Sequence, residues 1–137
     1  MEQTLAIFKP DCLEKALLGK VLDKILTAGF QIKAMKMIKL TRKETESFYE
    51  IHRGKPFFTK LVEFMTEGPV VVAVLEKENA VADWRALMGK TDPHEAAEGT
   101  IRHLWAETVS RNVVHGSDSI ENAQHEISFF FSQVELL

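Results

Sequence analysis

Cysteine is nearly missing from this 137-residue chain: Cys12 stands alone. That excludes an intrachain disulfide and points to a reducing compartment, so a cytoplasmic location is expected. Long apolar runs are missing too. The longest, residues 70–75, is far short of the roughly 20 residues needed to cross a bilayer. The first ten residues hold no basic stretch ahead of an apolar one, so no secretory signal is expected. Positive charge is not in excess. Seventeen Lys and Arg against 20 Asp and Glu leave a net charge of −3. A protein that grips nucleic acid or an anionic membrane carries the opposite balance, so neither partner is expected. Repeats, low-complexity tracts and linkers are absent, and the composition, 45% hydrophobic and 27% charged, fits a single domain over residues 1–137.

What remains is a regular alternation of strand and helix signals. Residues 4–8 are apolar on both faces, as in a central strand, and Pro10-Asp11 breaks them. Residues 14–28 carry Leu17, Leu18, Val21, Leu22, Ile25 and Leu26 at helical spacing, ending at Gly29. Residues 32–40 alternate imperfectly and read as a strand with one wet side. Thr41 with Glu44 has the spacing of a capping box for a short helix through Tyr49. Pro56 suits the first turn of a further helix, with Phe57, Leu61, Phe64 and Met65 on its buried face. Gly68-Pro69 turns into a buried strand over residues 70–76. Asn79 and Gly89 bound the next helix. A long irregular stretch, residues 90–110, holds a helix over residues 101–108. A short strand at residues 112–115 and a helix opened by Asp118 and Glu121, with Ile120, Ala123, Ile127 and Phe130 inside, complete the chain. The core order is βαββαβ. It predicts an α+β fold, a four-stranded antiparallel sheet with helices on one face, the ferredoxin-like arrangement.

Residues 112–119, Asn-Val-Val-His-Gly-Ser-Asp-Ser, place His115 at a strand end before small polar residues that can start a helix. A neutral imidazole held there is a competent nucleophile near neutral pH and suits covalent transfer of a group. A plain turn histidine has the same local pattern. Phosphoryl transfer needs cations aimed at phosphates, and the chain has only five arginines. Arg85 follows Trp84 in a helix and Arg102 opens another; either alone also fits a solvated surface. Lys9 ends a central strand, where a lysine must enter a cleft or reach the edge. The βαββαβ order pairs the first and last strands and brings Lys9 beside His115. Glu126, eleven residues past His115, falls at the edge of a buried stripe and could bond the imidazole directly or through Ser117; it could equally face solvent. Phe57 could offer a ring to a base or belong to the core. Trp84 to Thr91 ends like a phosphate-binding loop, but Trp84 occupies the place of the first glycine and helix precedes loop. His94, Glu95, Glu98 and His103 match no zinc spacing.

Together with Lys9-Pro10-Asp11, Pro56-Phe57-Phe58, Gly68-Pro69-Val70-Val71 and Gly99-Thr100-Ile101-Arg102, the histidine motif resembles the nucleoside diphosphate kinase family over nearly the whole chain. The family usually carries glycine where Cys12 stands, proline where Glu98 stands and arginine where Lys55 stands. The resemblance implies transfer of the γ-phosphate of ATP or another nucleoside triphosphate to nucleoside diphosphates. The route is ping-pong, through a phosphohistidine on His115, with Mg²⁺ on the nucleotide phosphates. It implies that Lys9 and Asn112 hold the sugar, that Lys9 also reaches the transferring phosphate, and that Arg85, Thr91 and Arg102 clamp the distal phosphates. Phe57 and Val109 would sandwich the base, Tyr49 would sit near the histidine, and Glu126 with Ser117 would orient it. A homo-oligomer is implied as well, a tetramer favoured over a hexamer because little chain follows Phe131. Stacking on Phe57 would tolerate any base. A non-catalytic binding module on the same scaffold would need exposed sheet aromatics and a basic face, which this acidic chain lacks.

Overall fold

The computed structural model describes residues 1–137. It begins with β1 (Glu2–Phe8), followed by α1 (Pro10–Glu14), α2 (Leu18–Thr27), β2 (Gln31–Ile38), α3 (Arg42–Phe48) and α4 (Phe58–Met65). Then come β3 (Val70–Lys77), α5 (Ala80–Met88), α6 (Ile101–Trp105), β4 (Val114–Gly116) and α7 (Ile120–Phe130). The four strands form one sheet in the order β2-β3-β1-β4, with every neighbouring pair antiparallel. This is the βαββαβ sheet that the sequence predicts. No helix is long and apolar enough to cross a membrane.

Both faces of the sheet are covered, not one. Strand side chains alternate, so β1 and β3 send Ala6, Phe8, Val71, Ala73 and Leu75 to one side, against Val21 and Ile25 of α2 and Trp84 and Met88 of α5. Leu5, Ile7, Val70, Val72 and Val74 go to the other side, against Val62 and Met65 of α4 and Ile127 and Phe130 of α7. Strands buried on both faces explain why β1 and β3 read as continuous apolar runs rather than alternating ones. Each large side chain fully buried here contributes about 1.5–3 kcal/mol.

Several local expectations shift. The helix expected over residues 14–28 is two, because Ala16 takes a left-handed φ of 57° between α1 and α2. Thr41 and Glu44 form the expected capping box, with bonds of 3.1 and 2.9 Å. Pro56 lies ahead of α4, so its buried face is carried by Phe58, Val62, Phe64 and Met65. Phe57 is left 46% exposed and Leu61 only partly covered. Asn79 stands at the start of α5 in a left-handed conformation, with no capping bond from its side chain. α6 ends at Trp105, short of residue 108. Ser119, not Asp118, caps α7 by accepting from the Asn122 amide at 3.1 Å, and Ile120 points outward. The last strand is Val114–Gly116, starting two residues later and ending one later than expected, because Val113 takes a φ of 75°.

Candidate active site

His115 pairs with Ile7 across the β1–β4 ladder and shares its face of the sheet. Its ring stands edge-on to Phe48, with centroids 5.6 Å apart, and to Tyr49, at 6.4 Å. Its Nε2 lies 2.8 Å from Glu126 Oε1 on α7. A carboxylate only accepts, so Nε2 donates, and in the neutral ring Nδ1 is the nitrogen with the free lone pair. The Ser117 hydroxyl donates to the same Glu126 oxygen at 2.9 Å, and the Leu5 amide donates to Ser117 at 3.4 Å. The direct contact between Glu126 and the imidazole is therefore made, and Ser117 ties that carboxylate to β1.

In front of the ring lies a cleft of about 1080 Å³. Lys9, Tyr49, Phe57, Arg85, Thr91, Arg102, Val109, Asn112 and His115 all line it, drawn from seven separate stretches of chain. Ser117 and Glu126 stand behind the ring instead. Each residue to which the resemblance assigns a role thus falls at the cleft or against its histidine.

Lys9 is buried, and its Nζ donates to Asn112 Oδ1 at 2.7 Å. Burial, with the Arg102 guanidinium beside it, pulls the Lys9 pKa down to about 7; Asp11 opposes the shift. Arg102 is buried as well. It donates to the carbonyls of Gly89 (3.0 Å), Val114 (2.8 Å) and Asn112 (3.4 Å). Three of its five donors are spent on main chain, so it holds the cleft's shape before it meets any ligand. Burial and Arg85 bring its pKa down to about 10, and it stays cationic at neutral pH. The Tyr49 hydroxyl is buried without a partner; burial and Glu126 push its pKa up, so it keeps its proton. Phe57 and Val109 are 46% and 55% exposed, two large apolar side chains left uncovered on the same cleft. Cys12 is buried, and its thiol is pushed up to about 12, which removes it as a nucleophile.

The sequence reading missed some cleft residues. His52 lines it, with its ring against Tyr49 (6.2 Å between centroids) and Phe57 (5.3 Å); burial, then Lys55 and His115, lower its pKa. Lys90, Asp92 and Glu95 line it as well. Nothing in the local pattern marks His52 or Asp92, Lys90 lies in the segment that only ends like a phosphate-binding loop, and Glu95 drew notice only as a potential metal ligand. No group of three or more His, Cys, Asp or Glu side chains is placed to hold a metal ion.

Four cations, Lys9, Arg85, Lys90 and Arg102, face two carboxylates, Asp92 and Glu95, inside this cleft. Such a site favours a polyanion with an apolar, stackable end and puts a free imidazole nitrogen beside it. The family model for nucleoside diphosphate kinase matches residues 2–136. A nucleoside diphosphate kinase of Prosthecochloris aestuarii is 58% identical over 135 residues, 98% of this chain and 96% of that protein. One from Nitratiruptor sp. is 57% identical over the full length of both. Among solved structures, the Aquifex aeolicus nucleoside diphosphate kinase superposes with a TM-score of 0.97 at 49% identity, covering 99% of each chain. The Halobacterium salinarum enzyme in complex with CDP gives 0.96 at 36% identity, covering 99% of this chain and 91% of that one. This chain belongs to the nucleoside diphosphate kinase family.

Proposed function

We infer that this chain moves the γ-phosphate of ATP, or of another nucleoside triphosphate, onto nucleoside diphosphates in two half-reactions, with His115 as the carrier. The observation that carries this is the His115–Glu126 contact at 2.8 Å, which leaves Nδ1 unprotonated on the cleft side of the ring. In the first half-reaction the Nδ1 lone pair attacks the γ-phosphorus, the bond to the bridging oxygen breaks, and the nucleoside diphosphate leaves with that electron pair. In the second, a terminal oxygen of the acceptor diphosphate attacks the same phosphorus and the P–N bond breaks. Glu126 stabilises the positive ring that forms between the steps.

Lys9 neutralises charge on the transferring phosphoryl group and, with Asn112, holds the sugar. Arg85 and Thr91 hold the distal phosphates, aided by the two Arg102 N–H groups that the carbonyls leave free. Tyr49 packs its ring edge-on to the histidine and keeps that edge dry. Phe57 and Val109 grip the base by its faces, so no base edge is read and all bases serve. Mg²⁺ enters as part of the substrate, on the nucleotide phosphates and water. The work maintains cellular nucleoside triphosphate pools, and the lone buried thiol suits a cytoplasmic setting.

A homo-oligomer, with a tetramer favoured, completes the reading. β2 is an edge strand of eight residues with Met35 and Met37 exposed, a surface suited to pairing with a second copy. Incubation with γ-labelled ATP and Mg²⁺ tests the carrier: one acid-labile phosphate per chain is expected, discharged by any added diphosphate. A His115→Ala chain that labels to the same extent would overturn it.

A further inference from the structure

Between the two residues that meet the substrate, Asn112 and His115, the backbone makes a turn that valine resists. The Val114 amide donates to the Asn112 carbonyl at 2.8 Å, closing a three-residue turn around Val113 at φ 75°. A positive-φ turn of this kind is strained, the more so at a β-branched residue, and persists only where its surroundings over-determine it. Here every arm is tied. Arg102 holds the Asn112 and Val114 carbonyls, and the Lys9 amide donates to the Val113 carbonyl at 2.9 Å. The Val113 amide itself donates to Asp11 Oδ2 at 3.0 Å.

Asp11 is fully buried, and its other carboxyl oxygen has no partner. Placing an acidic group there raises its pKa by burial, a cost that a helix-starting aspartate at the surface does not meet. Its one side-chain hydrogen bond to another residue is to the strained turn. We propose that Asp11 is a positioning residue for phosphoryl transfer: by holding the Val113 amide it fixes the turn that sets Asn112 and His115 at their working separation. Asp11 does not touch substrate and acts through the backbone. In the sequence Asp11 stands only in the break after the first strand and in the Lys9-Pro10-Asp11 motif, with no role assigned; the structure puts it in the first turn of α1.

The proposal rests on His115 being the phosphate carrier, so wild-type labelling by ATP and Mg²⁺ is the first arm; a wild type that does not label defeats that reading and not this one. The second arm compares Asp11→Ala, Asp11→Asn, Val113→Gly and the Asp11→Ala/Val113→Gly double variant by steady-state kinetics, each at its own pH optimum. Loss of the anchor is expected to lower kcat by roughly 10–100-fold with KM within about threefold, since small misplacements of a reacting group cost that much. Asp11→Asn keeps an acceptor oxygen and should stay within about threefold of wild type. Glycine removes valine's resistance to positive φ, so the double variant should lose less than the product of the two single losses. If Asp11→Ala does not fold, Asp11→Leu replaces it, filling the volume without an acceptor. A kcat within about twofold of wild type without the anchor, losses that multiply in the double variant, or an asparagine as impaired as alanine would each overturn the proposal.

Discussion

Lys9 meets opposing demands that make its pH behaviour informative. In the free protein its pKa falls from 10.5 to about 7, chiefly because burial penalises the charge. Between those values the unfolded chain binds the proton and the folded one does not, so Lys9 adds stability as pH rises through that window. Below about pH 7 both states are protonated and the full cost of the buried charge is felt. Phosphates act the other way, since they bind the protonated amine. The stabilisation that a nucleotide gives in thermal melts should therefore shrink from about pH 6 to about pH 9, while Lys9's part of the free protein's stability grows. Lys9→Met should remove both trends without lowering the free protein's Tm at neutral pH; a Tm that falls sharply would contradict the burial argument. At the cleft mouth, Phe57 gives up burial to stay open. Phe57→Ala should raise KM for every nucleotide alike, by about 1–3 kcal/mol in binding, with kcat little changed. Steady-state kinetics with adenine, guanine and cytosine nucleotides checks this, and a loss confined to one base would contradict face-only stacking.

Among the elements, β4 is the shortest and carries the most consequence. Its three residues include His115, and it packs this closely on α5 because Gly116 has no side chain. A Cβ there would come within 2.5 Å of Met88 Cε and 2.7 Å of the Trp84 indole, whose Nε1 donates to the His115 carbonyl at 3.3 Å. Gly116→Ala should cost about 1–3 kcal/mol of stability by overpacking. It should also slow transfer, because the strand that moves is the one bearing the imidazole. Thermal melts beside single-turnover labelling check both, and an alanine variant with wild-type melting would show the indole yielding freely. Elements with strong periodic or capping signals were legible in advance, among them β1, β3, α5 and the Thr41–Glu44 box. Elements whose ends depend on a single strained residue were not. No local rule places valine at φ 75°, because Asp11 and Lys9 hold that turn from a distant segment; alanine at φ 57° ends α1 through local bonds to the Leu13 and Cys12 carbonyls, at a residue with no preference for that region.

Over the whole molecule, the βαββαβ order explains why distant residues converge: β1 and β4 are neighbours, so Lys9 and Asn112 meet although 103 residues separate them. That adjacency was readable from strand order alone. The covering of both sheet faces was not, because α3, α4 and α7 read as additions to a minimal core; their apolar stripes bury Leu5, Ile7 and Val72. His52 and Asp11 escaped for a related reason, since each acts through neighbours that only the folded chain supplies. The proposed oligomer rests on the exposed edge of β2. A Met35→Lys/Met37→Lys chain should sediment at lower mass than wild type, for which a tetramer is expected; a wild type that sediments as a monomer would contradict the pairing of β2 with a second copy. The aimed imidazole has the most direct test in ¹⁵N–³¹P NMR of the phosphorylated protein with labelled histidine. Coupling of phosphorus to His115 Nδ1 is the expected result, because Glu126 occupies Nε2. Phosphorus on Nε2, or on Ser117 or Glu126 in place of the ring, would contradict it.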